Sequence, residues 1–383
     1  MWTIAVVTGG RADYGLLRPL LCAIEADDSL ALMLIVTGYH LSAQHGETWR
    51  QIEADGFAIA AKVTSQQPGD SHLAMARSLG QGVLGMSEAL HDLAPDAVVV
   101  LGDRYEILAA AEAALLLNIP LIHIHGGELT LGAIDDAIRH AISKMASLHF
   151  VSTEEHRRRL LQMGEDERRV FNTGALAVDN VAQVKLLCVE EFNARFGTRL
   201  KPGFLLVTLH PETRGCASAE WLATCMCRLL EPHLARGIVI TGSNADAGGA
   251  CIDAILRDFA ARHDGVWHFA ALGLQGYLSA VAAASVVVGN SSSGLIEVPI
   301  LGTPTLDIGT RQSGRYAPAS VIQVAAEPDA MAAALSGLLQ CPRADTGRGQ
   351  HEYGAPGVAG RMLEYLKAAL SEGLQKLPFV DRE

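Results

Sequence analysis

Carboxylates are concentrated in one stretch, Leu121–Lys144, which reads LIHIHGGELTLGAIDDAIRHAISK. It begins as an apolar run, breaks at Gly126-Gly127, presents Glu128, and reaches Asp135-Asp136 where a helical pattern starts. Upstream, another apolar run ends in Gly102-Asp103-Arg104. In an open α/β sheet, ligands bind where strands end and helices begin. Acids placed there stay charged beside a helix N-terminus or are pushed toward neutrality by burial, so the set suits proton transfer. Alone, Asp103 reads as a helix N-cap. If its strand neighbours the one ending in Glu128, both carboxylates face one crevice. Asp135 and Arg139 are four apart and are predicted to pair on the surface, contributing about 0.2–0.5 kcal/mol. Asp135 then reads as the cap and Asp136 as the functional acid, although the pattern permits the exchange.

The remaining candidates are groups that hold anions. Gly9-Gly10-Arg11-Ala12-Asp13-Tyr14-Gly15 joins a strand to a helix; its glycines admit close backbone approach, and Arg11 offers a forked contact to phosphate. The bland reading of that turn is an Arg11–Asp13 pair. His40 lies in the loop after the second strand and is a weaker candidate. His210 ends a later strand in HPET and could meet a diphosphate or assist a leaving group. Gly242–Gly249 is a Gly-rich loop in which Ser243 or Asn244 reaches a ligand, or simply a connection. Gly289-Asn290-Ser291-Ser292-Ser293-Gly294 precedes a helix carrying Glu297: a run of N–H groups for phosphate, then a carboxylate for both ribose hydroxyls. Arg311 and Arg315, in GTRQSGR, are predicted to neutralise diphosphate or brace that site.

These residues need a scaffold of alternating strands and helices. Apolar runs bounded by Gly, Pro or Asp alternate with amphipathic segments twice over, which predicts right-handed βαβ units and parallel sheets. At roughly 150 residues per domain, 383 residues suit two domains. The expected division is a Rossmann-like domain over 1–176, a helical linker over 177–203, a second Rossmann-like domain over 204–372 and a frayed tail over 373–383. Hydrophobic residues make up 49% of the chain and the net charge is -12, which argues against nucleic acid or an anionic membrane as partner. Neither a signal peptide nor a membrane span is predicted. The seven scattered cysteines lack zinc-site spacing and read as reduced thiols in a cytoplasmic protein.

With these pieces assembled, the chain resembles the hydrolysing UDP-N-acetylglucosamine 2-epimerases, in the branch serving sialic and legionaminic acid synthesis. TGGRADYGLLRPLL, VTGYHLSAQHGETWRQIEADGF, VVVLGDRYEILAAA, HIHGGELTLGAIDDAIRHAISKMASLHF, GNSSSGLIEVP and GTRQSGR carry the resemblance. It implies an α/β fold of the GT-B type, with two Rossmann-like domains facing across a cleft and UDP held mainly by the second. By position it implies Asp103, Glu128 and Asp136 as catalytic acids and Arg11 and His210 near the diphosphate. It places Asn244, Ser291, Ser292, Glu297 and Arg311 at the nucleotide. Gly10 stands where Thr is usual. The implied reaction eliminates UDP and then hydrates a 2-acetamidoglycal, with no metal or cofactor, in a homodimer or homotetramer. Alternatives are a 2-epimerase acting on UDP-2,4-diacetamido-2,4,6-trideoxyglucose, a GT-B glycosyltransferase, and a non-catalytic nucleotide-sugar sensor.

Overall fold

The computed structural model describes residues 1–43, 46–68, 71–131, 134–212, 217–243, 246, 248–340 and 352–382. The chain forms two compact units: Met1–Glu128 with Asp135–Asn180 and Tyr353–Glu383, and Leu129–Ile134 with Val181–Glu352.

In chain order, the first unit begins β1 (Trp2–Thr8), α1 (Arg11–Glu25), β2 (Leu30–Thr37), α2 (Trp49–Ala54), β3 (Ile59–Val63), α3 (His72–Leu93) and β4 (Ala97–Leu101). It continues with α4 (Tyr105–Leu116), β5 (Leu121–Ile124), α5 (Asp135–Met145), β6 (Leu148–Val151), α6 (Glu154–Gln162) and β7 (Val170–Asn172). Helix α7 (Ala177–Gln183) runs from this unit into the next. The seven strands form a parallel sheet in the order β3-β2-β1-β4-β5-β6-β7. Every residue of β4 and β5 is buried, as the unbroken apolar runs require of strands covered on both faces. The strand order reverses between β1 and β4, so the turns after these strands flank the sheet's switch point. Leu101 lies opposite Ile124, which brings Gly102-Asp103 and His125–Glu128 out at one level.

The second unit holds α8 (Val189–Phe196), β8 (Leu205–Thr208), α9 (Ala219–Leu230), β9 (Ile238–Thr241), α10 (Gly249–Arg262) and β10 (Val266–Phe269). It goes on through α11 (Gly273–Ala283), β11 (Val286–Gly289), α12 (Ser293–Ile300), β12 (Thr305–Ile308), β13 (Val321–Val324) and α13 (Pro328–Gln340). Its parallel sheet runs β10-β9-β8-β11-β12-β13, with the switch between β8 and β11. The core over one face, including Leu222, Met226, Phe259 and Leu335, matches the amphipathic stripes of the covering helices. No helix among the described residues is long and apolar enough to cross a membrane.

The division differs from the expected one at four places. The expected linker over 177–203 is split, 177–180 belonging to the first unit and 181–203 to the second, where Phe192 of α8 joins the core with Phe204 and Leu206. Helix α14 (Val358–Ser371), expected in the second domain, belongs to the first unit, where it packs against α1. The Asp179 carboxylate fixes its start by accepting from the N–H groups of Gly357 (2.6 Å), Val358 (3.0 Å) and Ala359 (2.8 Å). The rings of Phe171 and Tyr365 stack at 4.0 Å. The segment after Gly373, expected to fray, is tied down: Val380 N donates to Gly164 O at 2.9 Å, and Lys376 pairs with the buried Glu165. That carboxylate also receives Lys144 and His149 and is held at about 2 against the opposing effect of burial. Finally, Leu129–Ile134, midway along the acid-rich stretch, belongs to the second unit.

Candidate active site

In the first unit the acids gather where β4 and β5 end. Gly102, at φ +84, turns the chain so that Asp103 leaves the sheet. The Arg139 guanidinium donates to the Asp103 carboxylate. Arg139 is only 1% exposed, which makes it one of the largest fully buried side chains. The expected surface pair of Arg139 with Asp135 is therefore corrected: the inward face of α5 carries the arginine to an acid 36 residues earlier in the chain. Asp135 is the first residue of α5, and Asp136 lies one residue on, its Oδ2 3.8 Å from His140 Nε2. Burial lowers the His140 pKa, with Asp136 opposing.

Glu128 is buried. Its Oε1 accepts from His125 Nδ1 at 2.7 Å and from the Ser152 hydroxyl at 3.1 Å. Ser152 Oγ in turn lies 2.9 Å from His156 Nδ1. Burial lowers the His156 pKa to about 4, so this imidazole is uncharged near neutrality. The Gly126-Gly127 break exists for packing: Gly127 has φ +76, and a Cβ there would lie 2.4 Å from the His156 carbonyl oxygen. Behind the acids, His123 on β5 braces the set. Its Nε2 is 2.8 Å from the Gly102 carbonyl, which only accepts, so Nε2 carries the proton; Nδ1 then accepts from the Ser143 hydroxyl at 3.0 Å. Burial drives the His123 pKa to about 3. One neutral side chain thus ties the Asp103 turn to the helix bearing Asp136 and Arg139.

The turn after β1 is organised by its own side chains. Asp13 accepts from Gly9 N at 2.7 Å and from Thr8 Oγ1 at 2.9 Å, in place of a pair with Arg11. His40, fully buried, contacts Thr8 Oγ1 through Nε2 at 3.0 Å and Thr48 Oγ1 through Nδ1 at 2.8 Å. Both of its nitrogens are taken by chain hydroxyls, so Asp13 and His40 support the turn from behind. Arg11 opens α1 with its side chain exposed.

In the second unit the centre of the switch point is Asn290, which is fully buried. Its side chain accepts from His210 N at 2.7 Å and donates to His210 O at 2.9 Å. Its carbonyl accepts from Arg311 at 3.2 Å and from Gln312 at 2.8 Å. Gly289 is obligatory here: at φ +145, a Cβ would lie 1.8 Å from the Thr208 carbonyl oxygen. His210 Nδ1 is 3.5 Å from Ser243 Oγ. Ser291 and Ser292 stand at the start of α12, where Ser291 Oγ accepts from Ser293 N at 3.4 Å. Glu297 sits further along α12 and is raised above the usual carboxyl range by burial, with the Ser293 hydroxyl opposing. Burial and Glu297 together raise the neighbouring Tyr277 phenol. Arg311 Nη2 lies 3.9 Å from Asp246, and Arg315 donates to Thr130 Oγ1 at 3.2 Å. Asn244 falls outside the described residues.

Several contributors to these clusters escaped sequence reasoning. Asn290, Ser152, His123 and the Asp103–Arg139 pair are all partners across the fold, and a histidine inside an apolar run reads as core. Only Asn290, already inside the Ser-rich motif, carried a local signal.

Two parallel Rossmann-like units, each with polar residues collected at its switch point, give an α/β fold of the GT-B type. The chain belongs to the UDP-N-acetylglucosamine 2-epimerase family, whose model matches residues 22–367. It is 40% identical to a GDP/UDP-N,N'-diacetylbacillosamine 2-epimerase (hydrolyzing) of Campylobacter jejuni, covering 83% of each chain. It is 36% identical to a UDP-N,N'-diacetylbacillosamine 2-epimerase (hydrolyzing) of Legionella pneumophila, covering 89% of each. The fold matches the crystal structure of a UDP-GlcNAc 2-epimerase from Neisseria meningitidis bound to UDP-GlcNAc, with a TM-score of 0.81 and 18% identity over 96% of this chain and 100% of that one.

Proposed function

We propose that this chain is a hydrolysing 2-epimerase that converts UDP-N-acetylglucosamine and water to N-acetylmannosamine and UDP for sialic-acid-type sugar synthesis. The observation that carries this reading is the convergence of Asp103 and Glu128 at the ends of the adjacent strands β4 and β5, with Asp136 in the first turn of α5. The proton on sugar C2 is a weak acid, so departure of UDP from C1 leads or accompanies its removal. Arg11, His210, Arg311 and the N-terminus of α12 with Ser291 and Ser292 stabilise the diphosphate as it leaves. Glu297 accepts from the ribose hydroxyls. The resulting 2-acetamidoglycal takes up water: oxygen adds at C1 and a proton returns to C2 on the opposite face, which inverts that centre. Acid and base groups on two faces of the sugar are required, which suits a set of separately held acids. We place the enzyme in the cytoplasm as a homodimer or homotetramer.

A second reading keeps the chemistry and changes the sugar to UDP-2,4-diacetamido-2,4,6-trideoxyglucose. The names of the Campylobacter and Legionella relatives favour it. Incubating the protein with each nucleotide sugar and following free UDP by chromatography separates the two. Release from UDP-N-acetylglucosamine supports the first, release from the diacetamido sugar alone supports the second, and release from neither refutes both.

A further inference from the structure

We propose that His125 is a proton-transfer residue of this reaction, with Glu128 standing behind it as the orienting carboxylate. The proposal rests on the 2-epimerase reading and goes beyond it by naming the group that meets the C2 proton.

The first observation is in the backbone. His125 has φ +67, directly after β5. A residue with a Cβ in that region costs about 1–2 kcal/mol that glycine would not. Among the described residues, the other non-glycine positive φ values are at Ala94 and Asn118, which close α3 and α4, and at Glu47 in a loop. His125 closes no helix, and glycines follow it immediately at 126 and 127. A strained backbone that holds a histidine where glycine would relax it points to a task for the side chain.

The second observation is in the hydrogen bonds. A carboxylate accepts, so the 2.7 Å contact makes Nδ1 the protonated nitrogen of the imidazole and leaves the lone pair on Nε2. Glu128 Oε1 is further held by Ser152, whose own oxygen faces His156 Nδ1. The side chain of His125 is 7% exposed, and its Nε2 has no hydrogen-bond partner among the described residues. A buried carboxylate fixing one imidazole nitrogen while the other, itself buried, keeps its lone pair unmet by any described hydrogen-bond donor is the arrangement that makes histidine a general base once substrate reaches it.

Nε2 takes the C2 proton, and the C2–H electron pair becomes the C1=C2 bond. The C1–O bond breaks with its electrons leaving on UDP, and Glu128 offsets the imidazolium charge. In hydration, water oxygen bonds to C1, C2 receives a proton from an acid on the opposite face, and the water's proton restores that acid. The proton on His125 passes to solvent, which accounts for the net proton released.

Two variants test this. His125→Asn tolerates the left-handed backbone and keeps an N–H near the position of Nδ1, but carries nothing at Nε2. His125→Gly relieves the backbone and leaves room for imidazole. Both should lose at least about 100-fold in kcat for UDP release. UDP affinity by calorimetry should stay within about twofold and thermal melting should remain cooperative, because His125 is not among the groups proposed to hold UDP. Added imidazole should raise turnover of His125→Gly by at least about tenfold, with deuterium entering C2 in heavy water. Turnover near wild type in either variant, or no response of His125→Gly to imidazole, overturns the proposal. A wild-type enzyme releasing no UDP from either sugar would instead remove the reading beneath it.

Discussion

Replacing Arg139 with methionine keeps most of the side chain's bulk but removes the guanidinium from which the Asp103 carboxylate accepts. Arg139 is 1% exposed as a side chain and Asp103 16% exposed, so the acid can recover only part of its hydration. Removing one member of a buried ion pair costs about 3–5 kcal/mol, most of it from the charge left behind. The residual exposure of Asp103 places this pair at the lower end, about 3 kcal/mol, or roughly a hundredfold in the folding equilibrium. Urea denaturation followed by circular dichroism reads it directly. Adding Asp103→Asn to Arg139→Met removes the stranded charge and should recover about 1–2 kcal/mol, whereas independent sites would add their losses. Arg139→Lys should recover less than half, because an ammonium cannot reproduce the planar fork. A single-variant loss below about 1 kcal/mol, or simple additivity in the double variant, would refute the view that Arg139 holds the Asp103 turn against α5.

Other outcomes follow from the same geometry. The His123 pKa is lowered by burial to about 3, so the unfolded chain binds the proton first. Its stabilisation is complete above the unfolded value near 6.5 and is lost as pH falls toward about 3. The urea midpoint should therefore drop between pH 7 and 4.5, and His123→Gln, whose amide can still donate to Gly102 O, should flatten that drop. Gly127→Ala forces a Cβ onto the His156 carbonyl at φ +76 and should cost about 1–3 kcal/mol, seen as a lowered melting temperature. Glu297→Gln should weaken UDP binding by roughly tenfold or more by calorimetry, since a hydrogen bond to a charged group contributes about 1.5–3 kcal/mol.

The sequence made the two parallel sheets readable because β4, β5, β8 and β11 are unbroken apolar runs ending in polar turns. The neighbouring ends of β4 and β5 were foreseeable once adjacency was assumed, and the register of Leu101 with Ile124 supplies it. What stayed hidden is long-range. Helix α14 has an apolar stripe that says nothing about which sheet it covers; that is decided by Asp179, which caps it from 178 residues earlier in the chain. Local spacing suggested Asp135 for Arg139, but an exposed i,i+4 pair is weaker than the buried contact with Asp103. Strand β7 has only three residues, too few to show a period. The tail beyond Gly373 carries no helix or strand period, so it looks loose, and Glu165, which anchors Lys376, gives no sign in the sequence that it is buried.

The central claim is that UDP is eliminated with loss of the C2 proton and that water then adds. Proton NMR of the wild-type protein with UDP-N-acetylglucosamine in heavy water tests it most directly, with the diacetamido sugar run in parallel. The account predicts free UDP and a 2-epimeric sugar carrying deuterium at C2. Release of UDP with the C2 proton retained would contradict it.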